Sequence, residues 1–113
     1  MSNIVKFNNV SDKIITIRGT KVIIDSDVAL LYGVETRDIN KAVKNNPKKF
    51  PEGYVLSLSE KEKKEVVENF HHLENIKFST VMPKAFTRKG CNMLATILKG
   101  EKATDTTIEI IES

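Results

Sequence analysis

The chain has 113 residues and a formal net charge of +3, with 40% hydrophobic and 29% charged residues. This length and composition fit one soluble globular domain that can bury a core without disulfides or metals. A single cysteine, Cys91, excludes an intrachain disulfide and favours a reducing, cytoplasmic compartment, and the lack of any apolar run of about 18 residues excludes a membrane-spanning helix.

The first predicted element is a β-hairpin. Its strands are the β-branched runs at residues 14–17 and 22–24, and Gly19 supplies the turn between them. Asp25 or Ser26 is then placed to cap the helix that follows.

Residues 27–46 meet the positional demands of a helix-turn-helix, in which two short helices cross closely around a tight turn. The first helix, residues 27–32, offers the small Ala29 where the second helix crosses it. Gly33 tolerates the left-handed angles of the turn, and Val34 is the apolar residue that packs into it.

The second helix of this pair is predicted over residues 36–45, with Thr36 as its cap. Its apolar residues recur at three- and four-residue spacing and face back toward the first helix: Ile39, Ala42 and Val43. Pro47 ends the helix, because the residue before a proline avoids helical angles.

The outward face of the second helix predicts contact with double-stranded DNA. Arginine pairs well with guanine and asparagine with adenine in the major groove, and a helix N-terminus favours phosphate. The predicted base readers are Arg37, Asn40 and Lys41, and the predicted phosphate contacts are Thr36, Lys44, Lys48 and Lys49. Residues 37–49 hold five cations and one acid, so the net positive charge is concentrated here. An ordinary solvated helix face is the alternative interpretation of the same charges.

A strand and a third helix are predicted next. Residues 54–58 alternate as in a strand, and Ser59 with Glu62 forms a capping box. The apolar side chains of that helix are Val66, Val67, Phe70 and Leu73. Residues 75–84 favour a further strand, which Pro83 would place at a sheet edge.

The last part of the chain predicts two more helices. Thr87 caps the first, which Gly100 ends, and its apolar face consists of Met93, Leu94, Ile97 and Leu98. Thr104 or Asp105 caps the second. Because apolar residues continue to Ile111, we expect the chain to be a fragment of a longer protein. The predicted fold is α+β, a small antiparallel sheet with about five helices including the helix-turn-helix pair, within a single domain 1–113.

With these motifs in place, the chain resembles the ORF6N domain family, phage-associated relatives of the KilA-N and Bro-N DNA-binding domains. The resemblance covers residues 15–111. It rests on Ile17-Arg18-Gly19, on the segments 27–36 and 40–46, on Phe50-Pro51, on residues 58–62, and on Pro83, Ala85-Phe86-Thr87, Gly90, Met93-Leu94 and Leu98.

The resemblance implies an N-terminal DNA-binding domain of a phage or prophage regulator, often antirepressor-like, followed by a variable C-terminal domain. Relatives tend to carry a basic, glycine-rich hairpin between the third helix and Pro83. Residues 71–78 have no glycine and few cations here, so a wing-like phosphate contact is not predicted for this segment.

Other chemistry receives little support from the sequence. His71 and His72 are adjacent and point in different directions, and no further ligand completes a metal site. Cys91 near a helix N-terminus is interpreted as a half-buried structural thiol. The sequence contains neither clustered carboxylates nor a nucleophile motif, so an enzyme is not predicted, and no cofactor is expected. The alternative function is a protein-interaction module, which forms a homodimer or binds a repressor protein without contacting DNA.

Overall fold

The computed structural model describes residues 10–79 and 81–113; residues 1–9 and 80 of the predicted domain lie outside the described part. The strands are β1 (Ile15–Ile17), β2 (Thr20–Ile24), β3 (Val55–Ser57) and β4 (Lys84–Phe86). The α-helices are α1 (Asp25–Tyr32), α2 (Thr36–Asn45), α3 (Glu60–Asn69), α4 (Arg88–Leu98) and α5 (Glu101–Glu112). Two 3-10 helices span Pro47–Lys49 and His71–Phe78, and residues 10–13 are also helical.

The strands form one antiparallel sheet in the order β1-β2-β4-β3, which confirms the predicted α+β class. Successive side chains of a strand point to opposite faces. Ile23 pairs with Phe86 in register, and both belong to an apolar cluster with α1, α2, α4 and α5. Their neighbours Ile24 and Ala85 also pair, and belong to a second cluster with α3 and the 3-10 helix His71–Phe78. The sheet therefore lies between two layers of helices.

The predicted hairpin is confirmed, and its turn uses two residues of positive φ. Arg18 has φ 54° and Gly19 has φ 74°, the combination that a two-residue turn between right-twisted strands requires. The Arg18 guanidinium then spans from the turn to α3, with both of its bonds to the Glu62 carboxylate 2.8 Å long. The hairpin is thereby attached to the start of α3.

The turn between α1 and α2 follows the predicted geometry. Gly33 adopts left-handed angles, φ 73° and ψ 31°, and the Val34 amide donates to the Ala29 carbonyl at 2.9 Å. Ala29 and Ile39 are buried in the same cluster. Residues 25–45 thus form two short helices packed around a tight turn.

Three predicted helix caps are wrong. Helix α1 begins at Asp25 itself, after an N-cap at Ile24. Helix α2 is capped by Glu35, whose capping box with Asp38 makes Thr36 the first helical residue. Helix α5 begins at Glu101, earlier than a cap at Thr104 or Asp105 would allow, because Gly100 with φ 91° already breaks the chain between the two last helices.

The predicted strand over residues 75–84 is also wrong. The described part of this stretch contains the end of the 3-10 helix His71–Phe78 and a connection to β4, which begins only at Lys84. Pro83 precedes a strand that lies inside the sheet, between β2 and β3, and not at an edge. Leu73 and Ile76 are buried in the second cluster, so tertiary packing selects the helical form.

The last two helices pack on the pair α1–α2. Thr87 caps α4 as predicted, since its hydroxyl accepts from the Gly90 amide at 3.2 Å. The Tyr32 and Thr107 hydroxyls share a 2.6 Å hydrogen bond that joins α1 to α5. None of the helices in the described part of the chain is long and apolar enough to cross a bilayer.

Candidate nucleic-acid interface

The exposed side of α2 and the first residue of β4 enclose one open groove. Arg37, Lys41 and Lys44 are exposed on α2, and the half-buried Lys84 lines the same groove. We call these four residues the basic groove. Asp38 is the acid that shares this lining, so cations predominate. Four of the seven residues that the sequence assigned to the interface therefore line one groove, namely Arg37, Asn40, Lys41 and Lys44.

Sequence reasoning did not identify Lys84. It stands 40 positions after Lys44 in the chain and belongs to a segment that the pattern assigned to the end of an edge strand. Its backbone amide donates to the Asp25 carboxylate at 3.3 Å, which fixes β4 beside the start of α1. No local signal could have found this residue, because only the pairing of β2 with β4 brings it to α2.

Asp25 joins α1 to α2 and β4, the two elements that border the groove. Its carboxylate accepts from the Ser26 amide at 2.8 Å and from the side-chain amide of Asn40 at 3.2 Å, in addition to the Lys84 amide. Burial raises the pKa of Asp25 above its ordinary value, and the hydrogen bonds from Lys84, Asn40 and Ser26 act in the opposite direction. This carboxylate holds α2 and β4 at a fixed spacing.

Asn40 is half-buried, and its position differs from that of the neighbouring cations. Its amide nitrogen is engaged by Asp25, while its Oδ1 is buried without a hydrogen-bond partner among the described residues. For Asn40 to read adenine with both amide atoms, its bond to Asp25 must break. In the structure as it stands, the side chain orients α2.

The N-terminus of α2 carries acids as well as cations. The Asp38 carboxylate accepts from the Glu35 amide at 3.1 Å, and the Arg37 guanidinium donates to the Glu35 carboxylate at 2.9 Å. The Arg37 and Glu35 side chains are 84% and 68% exposed, and surface pairs of this kind contribute little to stability. Arg37 can therefore exchange Glu35 for another acceptor at small cost.

The remaining predicted contacts lie at the ends of α2. Thr36 is half-buried and lines a second cleft, between α2 and residues 75–79 and 81–83. Lys48 and Lys49 are exposed on the 3-10 turn that follows the helix. The structure thus spreads the predicted phosphate contacts along the full length of α2 and beyond its C-terminus.

The two histidines have acidic neighbours, and the cysteine is buried. The His72 imidazole lies 2.9 Å from the buried Asp27 carboxylate, and His71 lies 3.4 Å from Glu74. Cys91 is fully buried, and burial raises the pKa of its thiol to about 12, the opposite of an activated thiolate. Within residues 10–79 and 81–113, no three His, Cys, Asp or Glu side chains are grouped closely enough to hold a metal ion.

Comparison with known proteins assigns the chain to a family. The family model of the ORF6N domain matches residues 12–97, which covers the hairpin, the α1–α2 pair, the whole sheet and most of α4. Searches of curated proteins and of solved structures gave no match. The chain belongs to the ORF6N domain family, as the motifs in its sequence predict.

Proposed function

We propose that this ORF6N domain binds double-stranded DNA in a sequence-specific manner, as the DNA-binding part of a phage-type transcriptional regulator or antirepressor. The observation that carries the proposal is the basic groove. Its three α2 cations stand on the second helix of a helix-turn-helix, the element that enters the major groove in such motifs. The family membership supports a phage-type regulatory role.

The cations along α2 and on β4 have different parts in this proposal. Arg37 and Lys41 read base edges, since Arg37 stands in the first turn of the helix, Lys41 stands one turn later, and both are exposed. Lys44, Lys48 and Lys49 contact phosphates near the C-terminal end. Lys84, which lines the same groove, contacts a phosphate as well.

Asn40 belongs to the proposed interface, and its side chain has two states there. Bonded to Asp25, it orients α2 on the protein; released, it offers its amide to adenine. The buried and unpartnered Oδ1 supports the second state, because an unsatisfied acceptor lowers the cost of leaving the first. The proposed role of the domain is binding alone, without a catalytic step or a cofactor.

The direct test is selection of bound sequences from a random duplex pool, followed by titration of two variants on the selected site. Arg37→Ala should weaken cognate binding by about 1–3 kcal/mol and relax the preference at one position. Lys44→Ala should weaken all duplexes alike. If the protein enriches no sequence and binds no duplex at low salt, the proposal is wrong.

The second candidate function is a protein-interaction module that forms a homodimer or binds a repressor. The observation that favours it is the outer side of α5, where Ile108 and Ile111 are 48% and 38% exposed. Sedimentation of the free domain distinguishes the two functions. Self-association that Ile108→Asp abolishes, together with absent duplex binding, would favour the interaction module.

A further inference from the structure

One acid lies among the cations of the basic groove. Asp38, the third residue of α2, is exposed and lines the same groove as these cations. A carboxylate at this place repels the phosphates that the neighbouring lysines attract. A surface that binds phosphate alone would therefore gain from a neutral side chain here, and we expect Asp38 to contact a different chemical group.

The capping box of α2 engages only one oxygen of the Asp38 carboxylate. Its Oδ2 accepts from the Glu35 backbone amide at 3.1 Å, which fixes the direction of the side chain. Within residues 10–79 and 81–113, no donor bonds to Oδ1, and Lys41, one turn further along α2, forms no ion pair with Asp38. An amide oxygen can accept the same capping bond, so the cap does not require a charge. The second oxygen is an oriented acceptor on the exposed surface.

The base edges of the major groove offer one partner that suits such an acceptor. Cytosine presents only its N4 amino donor, whereas guanine presents two acceptors and thymine presents an acceptor and a methyl group. Adenine presents a donor with the acceptor N7 beside it. A carboxylate accepts hydrogen bonds and donates none, so cytosine is the base with which it pairs without facing another acceptor.

We propose that Asp38 determines specificity in the DNA interface, by accepting a hydrogen bond at Oδ1 from the N4 amino group of a cytosine in the major groove. The inference rests on the proposed function. Asp38 follows Arg37 in the first turn of α2, and the N-terminal residues of a recognition helix are those that reach base edges. Its charge weakens contact with the phosphates of every sequence, and only a site with cytosine offsets that loss. Asp38 therefore increases discrimination between sequences more than affinity.

The test compares Asp38→Asn with Glu35→Gln in selections from a random duplex pool. Both variants remove one negative charge from the start of α2, but Glu35 is not among the described residues that line the groove. The wild-type selection should contain cytosine at one fixed position, and Asp38→Asn should lose this preference while Glu35→Gln keeps it. Asp38→Asn should bind unrelated duplexes at least as tightly as wild type, which a variant that merely fails to fold could not do.

A second measurement removes the hydrogen bond from the DNA side. Replacing the selected cytosine by 2-pyrimidinone deletes the N4 amino group and leaves the ring in place. The wild-type domain should bind this duplex about five- to tenfold more weakly, and Asp38→Asn should bind the two duplexes alike. Fluorescence anisotropy gives both ratios, and a duplex with 2-pyrimidinone outside the footprint is the control for the weakened base pair.

Three results overturn the inference, and they are distinguishable from one another. If Asp38→Asn keeps the cytosine preference while Arg37→Ala loses the preference at its own position, Asp38 does not read a base and the proposed function stands. If Glu35→Gln loses the cytosine preference equally, charge near the helix start and not a contact is the cause. If the wild-type domain enriches no sequence and binds no duplex, the proposed function fails and this contact fails with it.

Discussion

Replacement of Lys84 tests the basic groove most directly, because this residue enters the interface only through the tertiary fold. Each lysine that neutralises a phosphate contributes about 0.9 to the slope of log affinity against log salt. With Lys44, Lys48, Lys49 and Lys84 as phosphate contacts, the slope should be about −3.6, and a rise from about 50 to 200 mM salt should weaken binding about 150-fold. For Lys84→Ala the slope should be about −2.7, and the same rise in salt should weaken binding about 40-fold.

The matched control is Lys21→Ala. Lys21 is an exposed lysine on a strand, whereas Lys84 is half-buried, and the register of β2 with β4 places Lys21 at the far end of that strand pair from Lys84. Fluorescence anisotropy of a labelled duplex at several salt concentrations gives both slopes. An unchanged slope for Lys84→Ala, or an equal change for Lys21→Ala, would refute the assignment of Lys84 to the interface.

Three further predictions concern the structure that supports the groove. Gly33→Val should lower the free energy of unfolding by about 1–3 kcal/mol, because the φ of 73° at this position strains a branched side chain. The added Cβ itself would meet only the flexible Lys102 side chain. Gly33→Asn should cost less, and urea unfolding that ranks the two variants in reverse would contradict this. Gly90→Ala should destabilise the fold more than either Gly33 variant, because its Cβ would lie 2.1 Å from the Tyr54 carbonyl oxygen. A thermal melt followed by circular dichroism that matches wild type would exclude this packing. The hydrogen bond from Arg18 is the main cause that lowers the pKa of Glu62 from 4.5 to about 2. The wild-type domain should therefore be more stable than Glu62→Gln above pH 4.5, and this difference should disappear as the pH falls toward 2. Urea titrations that give the same difference at every pH would contradict the prediction.

Local signals in the sequence predicted the parts of the fold that local chemistry determines. Gly19 and Gly33 marked turns that only positive φ can close, and Thr87 marked a helix start. The stretch containing Phe78 failed, because its apolar residues resemble a strand while the packing of Leu73 and Ile76 against the second cluster favours a 3-10 helix.

The candidate site was predictable only where it lies on one helix. The outward cations of α2 follow from helical periodicity, since Arg37, Lys41 and Lys44 recur once per turn. The position of Lys84 depends on contacts between residues far apart in the chain, such as the bond of its backbone amide to Asp25 across 59 positions. A single sequence contains no periodic pattern that reports such pairs.

The same carboxylate explains how the groove is organised. A buried, ionised Asp25 opposes stability, because the raised pKa favours its protonated form in the folded state; its contribution is therefore most favourable at low pH and is lost as the pH rises through the folded-state pKa. Three donors from α1, α2 and β4 converge on it, so what it provides is a defined geometry. The carboxylates of Glu35 and Asp38 at the start of α2 disfavour phosphate at that end of the helix. If the domain binds DNA as proposed, phosphates should contact Lys44 and Lys84, and Arg37 should meet base edges.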